Sequence, residues 1–398
     1  MMFDVAVAGA GPAGCTLAAT LACSGARVAL IDASHPREKP CGGGFTGRAL
    51  HVMTQLVPEA SLTGVEIRAA RFLDTDGQRE AIVSLDGDHR LVVASRSVAD
   101  AALYDAALRA GATAVRARVT DVTIGTGARI SLNDGSTLDA GCVVAADGAN
   151  SLVRKRAAQS FARTDLSVAT GVFAHGVTSD EIVLEMVGDP PGYIWSFPRR
   201  DHLAIGICAQ ATDTRVETLR HQLTQWLEKT GIARGARLEP YAWPIPALTP
   251  DSFDHLRVSG PGWFAVGDAG GLVDSITREG LFFALQSALF AAEALQSAAS
   301  VATAAQHYQE RVREEIIADL RVAATLKATF FQPAFSRLLV GALASSERIR
   351  MVMADLIAGT QPYGSLKRRL IGTCELGLAW RLLRESRQRP ALARASAR

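Results

Sequence analysis

A chain of 398 residues, 48% hydrophobic and 21% charged, buries more than one core, which excludes a disordered or fibrous protein. A formal net charge of +2 gives no case for nucleic acid, and six cysteines far apart with no Cys-x-x-Cys pair argue against a zinc site or a disulfide scaffold. The expectation is a protein of the reducing cytoplasm with no metal and no nucleic-acid partner.

Phe3 to Val7 already reads as a buried strand, so no signal peptide is expected. The loop Gly9-Ala10-Gly11-Pro12-Ala13-Gly14 follows, then an alanine-rich helix to Cys23 and a strand from Arg27 to Asp32. This βαβ order is what the dinucleotide fingerprint requires. Gly9 makes the tight turn, Gly11 lets backbone approach a pyrophosphate at the helix start, and Gly14 lets helix and strand pack closely. Asp32, at the end of the second strand, is placed to accept hydrogen bonds from ribose hydroxyls. The run Gly42 to Gly47 matches the same pattern literally, but Pro36 to Pro40 precedes it in place of a strand, so it is rejected as a phosphate loop.

Lys39-Pro40-Cys41-Gly42-Gly43-Gly44 puts a thiol beside three glycines. Such a stretch is either a flexible surface turn or a loop that lies against a flat ring and presents one reactive side chain. Arg96 stands just before a helical stretch, Ser97 to Ala110. Cys142 to Ala146 is a buried strand ending at Asp147-Gly148, and Trp263 to Val266, ending at Gly267-Asp268, repeats that pattern. Between them, Ala169 to His175, Ile182 to Met186, Tyr193 to Phe197 and His202 to Cys208 alternate as antiparallel strands. Alternation sends Tyr193, Trp195 and Phe197 to one face, with Trp243, Pro244 and Pro246 continuing that wall. The stretch Leu281 to Leu295, broken by Gln286 and Glu293, is a helix too short to span a bilayer.

In this order and spacing the segments resemble the FAD domain of flavoprotein hydroxylases and reductases related to para-hydroxybenzoate hydroxylase. The narrower resemblance is to the geranylgeranyl reductase family. Pro40-Cys41-Gly42-Gly43-Gly44 is similar to its cysteine loop, and Tyr193-Ile194-Trp195-Ser196-Phe197-Pro198 to its Tyr-x-Trp-x-Phe-Pro segment. Ala354 to Gly359, with Tyr363 and Leu366, resembles its terminal helical region. The chain departs from the family's pattern at Cys208, where glycine is usual, at Ser275 for proline and at Arg278 for glycine.

The resemblance implies an α/β fold: a Rossmann-like FAD-binding domain from 1–70, 93–160 and 255–300, an antiparallel substrate sheet from 71–92 and 161–254, and a C-terminal helical region, 301–398. It implies FAD held by Gly9, Gly11, Ala13, Gly14, Asp32, Gly42, Gly43, Arg96, Val119, Gly267, Asp268, Gly280 and Leu281. Arg96 would face the phosphates, Asp268 a ribityl hydroxyl, and the amides of Gly280 and Leu281 the flavin's pyrimidine edge. Cys41 is the expected catalytic residue, and Tyr193, Trp195 and Phe197 the substrate wall.

The function so implied is reduction of carbon-carbon double bonds in prenyl or terpenoid chains, with electrons from NAD(P)H or a ferredoxin-type donor. An FAD-dependent monooxygenase, a flavin-dependent halogenase and a non-catalytic flavin-bearing lipid carrier are the alternatives. From Lys367 to Arg398 nine basic residues face two acids, among apolar ones. This tail reads as a solvated helix or as a peripheral contact with the inner membrane surface.

Overall fold

Phe3–Ala8 is apolar at nearly every position, and such a strand belongs inside a sheet covered on both faces. The computed structural model describes residues 2–75, 77–87, 89–373 and 375, and places the strand there. It pairs in parallel with Val28–Ile31 on one side and Thr137–Ala145 on the other. Thr113–Val115 and Trp263–Ala265 continue the parallel sheet outward. Helices Pro12–Cys23, Arg96–Arg109 and Leu281–Ser297 bury one face. An antiparallel ribbon, Val119–Ile124 with Ala128–Leu132, covers the other through Val122, Ile130 and Leu132.

The second sheet runs Arg237–Pro246, Leu166–His175, His202–Gln210, Pro191–Pro198, Glu181–Gly188, Ala69–Leu73, Glu80–Ser84. All its pairs are antiparallel except the one between Glu181–Gly188 and Ala69–Leu73. The four strands expected from alternation are all present. Ile194, Ile205 and Ile207 face the helix Val216–Thr230, where Leu219, Leu223 and Trp226 cover them. The period of two therefore turns Tyr193, Trp195 and Phe197 the other way. A third, small sheet sets Leu91–Ala94 between Gly44–Thr46 and Gly64–Glu66; no alternation long enough to announce it exists in strands this short.

Of the later helices, Val301–Val312 packs on the first sheet, where the Tyr308 hydroxyl donates to the Ala265 carbonyl at 2.8 Å. Pro333–Ser345 and Glu347–Ala358 bury Val340, Leu343 and Met353 against Phe72 and Val83 of the second sheet. We propose that the chain divides at its sheets as the sequence implies, with Val301–Val312 adding to the first unit. Among the described residues no helix is long and apolar enough to cross a membrane. The basic tail lies outside the described residues from Leu376 onward.

The tightest packing in the first sheet is at the glycine loop. A Cβ on Gly14 would stand 1.9 Å from the Gly9 carbonyl oxygen, a backbone atom that cannot turn away. Gly14→Ala is therefore expected to lower stability by about 1–3 kcal/mol through overpacking. Urea denaturation followed by circular dichroism reads this directly, and an unchanged midpoint would show that the helix start has room to shift.

Candidate active site

Gly9 adopts a φ of +104°, and a Cβ there would meet the Ala146 carbonyl oxygen at 2.3 Å, so both outer glycines of the loop answer to protein contacts. Gly11 does not. A Cβ there would meet only His35 Nε2, at 4.0 Å, and the helix Pro12–Cys23 starts at Gly11 with no side-chain cap. Open space before uncapped helix amides is a site for an anion. Asp32 is already engaged. It accepts from the amides of Ala10 (3.0 Å), Ser34 (2.7 Å) and His35 (2.9 Å) and bonds the His35 ring at 3.0 Å. Burial opposes its ionisation, but the His35 ring and these amides outweigh burial and hold the carboxyl well below the usual carboxylate range. It thus braces the loop as well as ending the strand. Val119 opens the covering ribbon beyond Thr113–Val115.

The cysteine loop is clamped from both sheets. Arg199, just past the aromatic strand, is 1% exposed, donates to the Cys41 carbonyl at 2.7 Å and pairs with Glu38. Glu38 also accepts from the amides of Arg96 (3.1 Å) and Ser97 (3.3 Å) at the start of a helix on the first sheet. Burial raises the Glu38 pKa, yet Arg199's charge and these bonds bring it below the usual value. Arg96 does not stand free to face phosphates. Its Nε and Nη2 are held by Asp100 at 2.8 Å each, and the guanidinium lies beside the Cys41 thiol. The Gly43 amide donates to Cys41 Sγ at 3.3 Å. Two of the loop's glycines answer to protein neighbours: a Cβ on Gly42 would stand 3.2 Å from the Phe197 ring, and one on Gly43, with φ +78°, would meet the Ala94 carbonyl oxygen at 2.4 Å.

Across the cavity, Asp268 pairs with Lys39 at 3.6 Å, and a Cβ on Gly280 would meet Asp268 Oδ1 at 3.1 Å. Gly267, with φ +55°, packs on Ala13 and Ala284. The helix Leu281–Ser297 starts at Gly280 without a side-chain cap, a second set of unsatisfied amides at the same opening. Beside it, Glu279 accepts from Thr46 Oγ1 (3.0 Å) and Arg48 Nη2 (2.5 Å). Burial pushes the Glu279 carboxyl up despite Arg48.

The expected wall is present. Tyr193, Trp195 and Phe197 line a cavity of about 950 Å³, joined by Trp243 and by Ile245 rather than the adjacent prolines. Gly206 lies opposite Trp195 in register, and a Cβ there would stand 2.3 Å from the indole, so the ring lies flat on the strand. Tyr193 stacks on Phe331 with ring centroids 6.1 Å apart and donates to the Thr277 carbonyl at 2.9 Å. Beyond these aromatics the lining is aliphatic, from Ile182 and Met186 through Leu339, Val352 and Leu356 of the later helices. Cys41, Gly42, Gly43, Arg96, Asp268, Gly280 and Leu281 border the same cavity. The sequence missed Lys39, Glu38, Arg199 and the Arg48–Glu279 pair; Arg199 sits in Pro198-Arg199-Arg200-Asp201, which reads as a surface turn because nothing in composition marks a buried arginine.

Two uncapped helix starts, a glycine with no protein reason to lack a side chain, and a carboxylate at the cavity edge fit a flavin dinucleotide. The fold and these residues are those of an FAD-dependent oxidoreductase. Residues 2–231 match the family described as FAD binding domain. The chain is 31% identical over 325 residues to the menaquinone reductase of Mycobacterium tuberculosis, covering 74% of this chain and 76% of that one. It is 28% identical over 341 residues to the digeranylgeranylglycerophospholipid reductase of Methanothrix thermoacetophila, covering 79% and 84%. A solved geranylgeranyl bacteriochlorophyll reductase-like structure from Thermoplasma acidophilum shares the fold with a TM-score of 0.77 at 23% identity, over 93% of this chain and 99% of that one. The chain belongs to the geranylgeranyl reductase family.

Asp268→Ala removes the carboxylate at the cavity edge and leaves Lys39 unpaired. FAD affinity is expected to fall by about 1–3 kcal/mol. Fluorescence titration of apoprotein with FAD measures this, and full occupancy at the parent protein's dissociation constant would remove Asp268 from the cofactor site.

Proposed function

We propose that the protein reduces carbon-carbon double bonds in prenyl or terpenoid chains. The observation that carries this is the cavity: it borders the cysteine loop with Arg96, Asp268, Gly280 and Leu281 at one end and runs on as aliphatic wall between the second sheet and the later helices. A long apolar ligand is held there by contact area, at about 25 cal/mol per Å² buried. The names of the relatives support the same chemistry, each being a reductase of a molecule with a prenyl chain or quinone.

Bound FAD, once reduced by NAD(P)H or a ferredoxin-type donor, supplies a hydride equivalent from its N5. This chain's residues do the rest. Asp268 and Lys39 hold the polar side of the opening, and the uncapped amides at the start of Leu281–Ser297 would stabilise negative charge on a bound flavin. An isolated alkene accepts hydride poorly, so a proton must reach its second carbon. The Cys41 thiol borders the cavity on a loop fixed by Arg199 and Glu38, and it gives that proton. Arg96 beside it meets the negative charge left on sulfur. Tyr193, Trp195 and Phe197 position the chain and exclude water from the reacting carbons.

A peripheral membrane contact belongs to this reading, since such substrates reside in bilayers. Leu370 and Ile371 border the cavity yet are 41% and 56% exposed, beside Lys367 and Arg368 on the helix Tyr363–Gly372. Apolar tips among basic residues suit an anionic surface.

Anaerobic incubation of the reduced protein with a polyprenyl substrate tests the reaction: each turnover adds two hydrogens to the product mass, and oxygen incorporation in air without such a gain would mark a monooxygenase instead. General acids contribute about 10²–10⁴-fold. Cys41→Ser keeps the size and removes most of the acidity, so reoxidation of the reduced protein by substrate is expected to slow at least about tenfold. Its reduction by the electron donor stays as it was; stopped-flow on the two half-reactions separates them, and an unchanged reoxidation rate would deny Cys41 the role. Ile371→Glu is expected to weaken sedimentation with phosphatidylglycerol vesicles, and equal binding by both proteins would refute the membrane contact.

A further inference from the structure

Two departures from the family's pattern, Cys208 and Arg278, meet at one place in the fold. Cys208 stands opposite Tyr193 in the strand register, and the Arg278 guanidinium lies beside its thiol. Arg278 also borders the cavity, next to the hydroxyl end of Tyr193, which bonds the Thr277 carbonyl. Among the described residues it is the one non-glycine with a positive φ, +61°, a conformation that glycine takes without strain. The chain keeps an arginine where the backbone favours glycine, so the side chain needs a purpose.

Its protein contacts leave the charge without a carboxylate. Arg278 Nη1 donates to the Ser275 carbonyl, Nε is buried without a hydrogen-bond partner, and no ion pair joins the side chain to a carboxylate among the described residues. The other cations at this end of the cavity are all paired: Lys39 with Asp268, Arg96 with Asp100 and Arg48 with Glu279. Near Arg278 stands a further cation, Lys327, which makes no ion pair among the described residues and whose ammonium donates to Gln210 Oε1 at 2.5 Å. Burial first, and then the charge of Arg278, push the Lys327 pKa down to about 8. Asp213 and Asp165 offset this only in part, and two positive charges that oppose each other make a local field that an anion would relieve.

We propose that Arg278 binds an acidic headgroup, phosphate or carboxylate, carried by the substrate, with the field of Lys327 nearby, while the apolar chain runs past Tyr193 and Trp195. The inference rests on the prenyl-chain reading above and narrows it: the preferred substrate is an anionic prenyl amphiphile and not a neutral alcohol or quinone.

Binding to the full-length, FAD-loaded protein tests this without turnover, through quenching of tryptophan fluorescence, because Trp195 and Trp243 border the cavity. The probes are geranylgeranyl phosphate, geranylgeraniol and inorganic phosphate. The phosphate ester is expected to bind at least about tenfold tighter than the alcohol, in keeping with a hydrogen-bonded charge pair. In Arg278→Gly, which suits the +61° backbone, that ratio falls to near one, and Arg278→Lys keeps part of it. Equal affinity for ester and alcohol in the parent protein, or a preference that survives in Arg278→Gly, overturns the proposal while leaving the prenyl-chain reading intact. Saturable quenching by inorganic phosphate alone assigns the site to a free anion and overturns the headgroup. Failure of both prenyl compounds to bind overturns the chain reading, and this inference with it.

Discussion

Where the strand Phe3–Ala8 ends, three backbone segments come closer than any side chain permits. The Gly9 α-carbon faces the Ala146 carbonyl, and the Gly14 α-carbon faces the Gly9 carbonyl. This contact sets the start of the helix Pro12–Cys23 against the end of Thr137–Ala145, and everything at the cofactor end takes its position from that helix. Ala13, in its first turn, packs on Gly267, so the turn carrying Asp268 is registered to the same point. A segment near the amino terminus and one beyond residue 260 thereby form one opening.

The cysteine loop depends on a different kind of contact. An ion pair with a buried partner is weak evidence of stability, because taking a charge such as that of Arg199 out of water costs several kcal/mol before the attraction is counted. Arg199 and Glu38 are retained with further hydrogen bonds that reach backbone on both sides, the carbonyl of Cys41 on one and the amides of Arg96 and Ser97 on the other, with the Ser97 hydroxyl and the His202 ring beside them. The pair therefore specifies geometry. It holds the thiol at the seam between the two sheets, where Phe197 packs beside Gly42.

What could be read without the structure follows from how local each signal is. The glycine loop, the helix to Cys23 and the alternating strands announce themselves over a few residues, and they fall where the sequence puts them. The aromatic stripe was legible because a period of two needs no knowledge of the partner strand. The partners of Arg96 and Arg199 were not, since both arginines look like surface residues and their burial depends on segments up to 161 residues away. Asp32 shows a subtler limit: its place at the end of the strand was evident, but not that loop amides and His35 would already occupy its oxygens.

The strand Trp263–Ala265 joins the parallel sheet only from the far side of the second sheet in sequence, and the helix starting at Leu281 follows it. On a ribosome this separates the two ends of the cofactor site in time. At about 5–20 residues per second, the helix starting at Leu281 emerges on the order of tens of seconds after the one starting at Pro12. Through that interval the first strand has Val28–Ile31 beside it, while the edge that Trp263–Ala265 will cover stays open, and the second sheet must complete itself as an insertion within an unfinished domain. The edge of Thr137–Ala145 is therefore covered late in the life of the nascent chain.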